Sequence, residues 1–191
     1  LDRKFRKPRV WSNQELRKVA PLFGGSIVNV SGWKDMDKEG KRYKDYFVNA
    51  SDYWVTNFKS EARGYQGDLD NELFLDLEQD LDSSLVGRFD VVFNHTVIEH
   101  VFNVFKAFEN LCLMTRDILI VVVPFLQEQH AEYGDFWRFT PLVIERLCSI
   151  NKLEVVYINY NNKSSESIYV FVVASNGCSG AQIGYHLEYT T

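Results

Sequence analysis

The run Ile118 to Val123 (ILIVVV) constrains this chain more than any other segment. It is built of β-branched residues and leucine with no polar alternation, so it reads as a strand covered on both faces rather than one with a wet side. A strand of that kind belongs to a mostly parallel sheet sandwiched between helices. Its neighbours agree. FDVVFN (Phe89 to Asn94) is a second buried strand. Between the two, Glu99 to Thr115 is expected to be helical, because Val97, Val101, Val104, Phe105, Phe108, Leu111 and Cys112 recur at three- and four-residue spacing. Pro124 is expected to end the ILIVVV strand, and a polar, aromatic segment follows, closing on HAEYGDFWRFT (His130 to Thr140). Open α/β sheets bind ligands outside the carboxyl ends of their strands. That rule places a crevice at Asn94 to His100 and His130 to Arg138.

Five further strands are legible: Ser26 to Val30, Asp52 to Phe58, the short ELFLDL segment, Leu153 to Tyr160 and Ile168 to Ala174. The last two flank the turn YNNKSSES and should pair antiparallel. Trp11 to Leu22 reads as a helix capped by Ser12, with Glu15 three residues on and Pro21 and Gly24 ending it. Tyr43 to Phe47 reads as a helical turn. Pro141 to Ile150 reads as a helix with Thr140 as its cap and proline at its first position. The expected fold class is α/β: a doubly wound, mostly parallel seven-stranded sheet with one antiparallel strand near the C-terminus.

The 191 residues suit one domain, 11–191, preceded by a basic arm, 1–10. Arg3, Lys4, Arg6, Lys7 and Arg9 make that arm a solvated, mobile terminus or a contact for a polyanion or acidic membrane surface. A net charge of −5 argues against a nucleic-acid-binding body, whose affinity comes from Lys and Arg at phosphates. Cys112, Cys148 and Cys178 are odd in number, widely spaced and without a CxxC, so no disulfide framework or metal site is expected from them; a reducing, cytoplasmic setting fits. No apolar run reaches the roughly eighteen residues of a membrane span, and no signal peptide is visible. The acidic Asp35-Met36-Asp37 reads as a solvated turn, lacking the spacing of a calcium loop.

With its segments in this order, the chain resembles class I S-adenosylmethionine-dependent methyltransferases. FDVVFNHTVIEHV is similar to that family's fourth strand and the Glu-His-Val start of the helix after it, and ILIVVVPF to its fifth strand. HAEYGDFWRFTP is similar to a loop in methyltransferase-like proteins linked to glycan or sugar modification. The likeness spans about Ile27 to Ala174 and implies a Rossmann-like methyltransferase fold. Two family features are altered. The glycine-rich turn after the first strand is Val30-Ser31-Gly32-Trp33, with one glycine, and the acidic ribose-binding position at the end of the second strand is Asn57.

The resemblance implies cofactor contacts at Ser31, Gly32, Asn57, Asp76, Leu77 and Asn94. Asp80 rivals Asp76 for the place beside adenine, and a purely solvated acidic surface is the alternative for both. Glu99 needs no functional explanation as a carboxylate in a first helical turn. His100 and His130 are candidate general bases, since imidazole titrates near neutrality; packing or capping is the alternative for His100. Tyr133, Asp135, Trp137 and Arg138 are candidate substrate contacts: Arg138 for a carboxylate or phosphate, Trp137 for stacking on a ring. Alternatively, Asp135 and Arg138 pair with each other while Trp137 and Phe139 pack the loop onto the core. The expected function is S-adenosylmethionine-dependent methylation of a hydroxyl or amine on a sugar-like or other small-molecule acceptor, with a homodimer as the oligomer to test. The alternatives are an inactive methyltransferase-like domain serving as a binding or scaffold subunit, or a related sheet binding another nucleotide.

Overall fold

The sheet runs in the order β3-β2-β1-β4-β5-β7-β6. Its strands are β1 (Gly24–Val30), β2 (Asn49–Asn57), β3 (Glu72–Phe74), β4 (Phe89–His95), β5 (Thr115–Leu126), β6 (Glu154–Tyr160) and β7 (Ile168–Ser175). β1, β2, β3, β4 and β5 are mutually parallel, while β7 is antiparallel to both β5 and β6. Strand order reverses between β1 and β4, where Val30 lies in register with Asn94. This is the expected fold class, including the reversed strand. The computed structural model describes residues 3–59, 64–131, 134–163 and 166–177.

Two-sided burial is literal. Leu119, Val121 and Val123 of β5 join Val92 of β4 and Val170, Val172 and Ala174 of β7 in one core. Ile118, Ile120 and Val122 join Val91, Phe93, Tyr169, Phe171 and Val173 in the other. Successive side chains point to opposite faces, so an unbroken apolar strand is the only pattern that fills both. Helices α2 (Val104–Met114) and α3 (Pro141–Ile150) cover the first face; α1 (Arg3–Val19) and the 3-10 turn Tyr43–Tyr46 cover the second. Among the described residues no helix is long and apolar enough to cross a membrane.

Several boundaries differ from expectation, each for a physical reason. α1 begins at Arg3 and carries Pro8 inside it, so Ser12 is a mid-helix residue whose hydroxyl donates to the Arg9 carbonyl instead of capping. Burial of Leu16 and Val19 against the sheet holds a helix that its polar composition would not favour alone. Pro124 does not end β5; the strand reaches Leu126 across a register irregularity there, a tolerated place for a residue without an N–H. The helix expected from Glu99 is divided into a 3-10 turn, Ile98–His100, and α2, which Asn103 caps by accepting from Lys106 N–H. Along α2, Val104, Phe108, Leu111 and Cys112 are buried, while Phe105 is 65% exposed. Thr140 caps α3 as expected, its hydroxyl accepting from Val143 N–H. The Asp35-Met36-Asp37 turn is not solvated: Asp35 accepts from Asn29, Tyr53 and the Lys44 N–H, and Asp37 from Tyr46 and the Glu39 and Lys41 N–H groups. Cys112 and Cys148 are buried free thiols, and Cys178 lies outside the described residues.

Candidate functional site

The carboxyl ends of β1, β2 and β4 bring together most of the residues that the sequence assigns to a cofactor. After Val30 the chain turns through Ser31 and Trp33, both in the left-handed region (φ 57° and 47°), and Asp35 is left-handed too (φ 57°). Non-glycine residues in that region cost about 1–3 kcal/mol each and concentrate at functional turns. Gly32 is required by close approach, since a Cβ there would stand 2.5 Å from Asn29 Nδ2.

Their polar atoms are turned towards one another. Ser31 N–H donates to Thr56 Oγ1 at 3.1 Å and Gly32 N–H to the Thr56 carbonyl at 3.2 Å. Asn57 is buried; its Oδ1 accepts from Trp33 N–H at 2.7 Å, and its Nδ2 donates to Glu72 Oε1 at 2.7 Å and to the Trp33 carbonyl at 3.3 Å. Asn94, fully buried, donates to the Val30 carbonyl at 3.2 Å, while its Oδ1 has no hydrogen-bond partner among the described residues. Asp76 is half-buried and accepts from Glu78 N–H; Leu77 belongs to the core beneath α2. Beyond them, Phe58 and Phe74 are exposed rings 6.1 Å apart, with Tyr65 edge-on to Phe74.

A second cluster lies where the turn after β4 meets the loop after β5. The Glu99 carbonyl accepts from the N–H groups of Phe136 and Trp137, and His100 Nδ1 sits 2.6 Å from the Gly134 carbonyl. Trp137 Nε1 donates to the Val101 carbonyl, and Phe139 is 2% exposed. Arg138 grips both oxygens of Asp135, at 2.6 and 2.7 Å, and donates to the carbonyls of Gln127 and Glu128. Asp135 Oδ2 also accepts from His130 N–H and lies 3.1 Å from His130 Nδ1. Burial alone would raise the Asp135 carboxyl, but Arg138 and His130 overcome it and hold the group at about 2. The loop-organising pairing of Asp135 with Arg138 is therefore present. His130 and His100 meet with ring centroids 5.1 Å apart. Burial lowers the His100 pKa against the opposing pull of the Gly134 carbonyl. Tyr133 lies outside the described residues.

Glu99 is the residue that the sequence reading undervalued. It does lie in the first turn of a 3-10 helix, but it is 1% exposed, neither side-chain oxygen has a hydrogen-bond partner among the described residues, and burial pushes it up to about 8. The signal was available in its flanks, since Ile98 and Val101 leave a single polar pair inside an apolar stretch. Glu72 was likewise missed, because its role is to hold Asn57.

No family model and no curated protein matches the sequence. Solved structures match across most of its length. A magnesium protoporphyrin IX methyltransferase from Synechocystis with bound S-adenosylhomocysteine superposes at TM-score 0.57 and 11% identity, over 88% of this chain and 84% of that one. The 1,6-didemethyltoxoflavin N1-methyltransferase of Burkholderia thailandensis, bound to its namesake compound and S-adenosylhomocysteine, gives 0.59 and 14%, over 87% and 80%. An S-adenosylmethionine-dependent methyltransferase of Clostridium acetobutylicum gives 0.59 and 8%, over 89% and 91%. The chain has the Rossmann-like methyltransferase fold. At these identities the likeness fixes the architecture and leaves the chemistry to the residues.

Proposed function

We propose that the protein is an S-adenosylmethionine-dependent methyltransferase acting on a hydroxyl or amine of a small, sugar-like acceptor. The observation that supports this most is the pairing of that fold with a histidine cluster, His100 and His130, beside the carboxyl end of β4. Whether the crevice fits the cofactor turns on two atoms. Asn94 Oδ1, buried without a partner, is an acceptor that an amino group would satisfy. Asn57 is committed to Trp33 and Glu72. Asn94 is fully enclosed, so the cofactor's amino end, like its ribose, would be admitted only once the strained Ser31–Trp33 turn shifts, uncovering Asn94 and releasing Asn57. Asp76 and the exposed Phe58 and Phe74 rings would flank the adenosine side.

Bound S-adenosylmethionine would supply an electrophilic methyl group. The protein's own part is to hold the acceptor in line and to take its proton. His100 Nδ1, facing a carbonyl, must carry the ring hydrogen, which leaves the Nε2 lone pair to receive a proton. His130, steadied by Asp135, is the second base. Arg138 is occupied in organising the loop, and Trp137 shows the acceptor its ring rather than its N–H. Calorimetry with S-adenosylmethionine and S-adenosylhomocysteine tests the reading, and no heat at millimolar cofactor refutes it. His100→Ala and His130→Ala should then lower turnover with little change in cofactor affinity; unchanged turnover in both removes the histidines as bases. The engaged Asn57 amide favours a second reading, a domain of this fold acting as a binding subunit, and the same calorimetry separates the two.

A further inference from the structure

Glu99 has no part in methyl transfer as described, yet burying a carboxyl that has no hydrogen-bond partner among the described residues is expensive and needs a reason. One Glu99 oxygen and one ring nitrogen each of His100 and His130 lie within 4.8 Å of one another. We propose that Glu99, His100 and His130 bind a divalent first-row transition-metal ion, zinc being the best match. Two imidazoles and a carboxylate form the donor set of open zinc sites, which keep a fourth position for water or substrate. Two nitrogens also select against magnesium and calcium, which prefer oxygen. Metal–ligand bonds of about 2.0–2.2 Å set donor atoms roughly 3.3 Å apart, so closure needs only small side-chain rotations.

The surroundings are those of a supported site. The Gly134 carbonyl fixes the His100 tautomer and leaves Nε2, already 3.7 Å from Glu99 Oε1, as the donor. Asp135 does the same for His130 through Nδ1 and is itself locked by Arg138, an arrangement that orients histidine ligands. The ligands come from two elements, the 3-10 turn after β4 and the loop after β5, which α3 and β5 hold in place through Thr140 and the Pro124 carbonyl. Ion binding would also ionise Glu99 and remove the cost of its burial. If the methyltransferase reading holds, and only this clause rests on it, the ion would replace the two histidines as bases, since their lone pairs go to the metal: the open position would take the acceptor's hydroxyl oxygen and acidify it enough for its proton to pass to water.

The test is titration of tag-free, chelator-treated full chain with cobalt(II), followed by visible absorption, and with zinc(II) against a chromogenic chelator. One ion per chain is expected. Asp135→Asn should weaken binding about 10–100-fold, as for supporting residues generally, and Glu99→Gln and His130→Ala should each weaken it more. Absence of binding, or affinity unchanged from the parent in both ligand variants, overturns the proposal. Circular dichroism checks folding; if Glu99→Gln is unfolded, His130→Ala decides. Cofactor calorimetry is run separately. Metal binding without cofactor binding refutes the methyltransferase reading alone, and cofactor binding without metal refutes the ion alone.

Discussion

Asn57→Asp sets the sequence and the structure against each other. By resemblance, an acidic residue there should improve ribose binding. In the fold, the substitution replaces a donor by an acceptor 2.7 Å from Glu72 Oε1. The lost bond to a carboxylate is worth about 1.5–3 kcal/mol, and the weaker one to the Trp33 carbonyl about 1 kcal/mol. Two carboxylates about 4 Å apart repel by roughly 1 kcal/mol in water and 4 kcal/mol at an effective dielectric of 20. Glu72 is half-buried and can swing towards solvent, so the repulsion should fall near the lower figure and the whole penalty at about 3.5–5 kcal/mol. Urea unfolding should show this as a lower midpoint at unchanged slope. Glu72→Gln in the same chain restores a donor and should recover at least about 1.5 kcal/mol, measured as a coupling energy in a double-mutant cycle. Only the double variant is then expected to show any gain in cofactor affinity. Asn57→Asp within about 0.5 kcal/mol of the parent, or strict additivity with Glu72→Gln, would refute the reasoning.

Other expectations follow from burial and pairing. His95 is buried against Ser12 Oγ at 2.7 Å, and burial, with Arg9 nearby, holds its pKa well below 6.5. A base depressed in the folded state contributes stability above its unfolded pKa and loses it as pH falls. Stability should therefore drop by up to about 1.4 kcal/mol per unit below pH 6.5, and His95→Gln should flatten that slope; an equal slope in both proteins refutes it. Arg138→Lys cannot reproduce the two-pronged grip on Asp135, whose side chain is fully enclosed, and should cost about 2–4 kcal/mol with faster amide exchange at Phe136 and Trp137. Full stability in the lysine variant would show that charge alone suffices. Phe108→Ala should cost about 3–5 kcal/mol and Phe105→Ala under 0.5 kcal/mol, because only the first is buried; comparable losses would place the apolar face of α2 wrongly.

The sequence by itself determined the layers. ILIVVV is apolar at every position and FDVVFN at four of its six, a pattern that suits strands buried on both faces, so sheet, helices and crevice end followed from local composition. The Thr140-Pro141 helix start was legible for the same reason, since capping is a contact between near neighbours. Tertiary structure decided the polar residues. Asn57 is closed by Glu72 and Trp33, Asp35 by Tyr53 and Asn29, and Glu99 is enclosed by the loop that returns after β5. Whether a carboxylate is solvated or buried depends on what the chain lays over it from tens of residues away. Periodicity does not record that, and here it separates an unremarked first-turn glutamate from a candidate metal ligand.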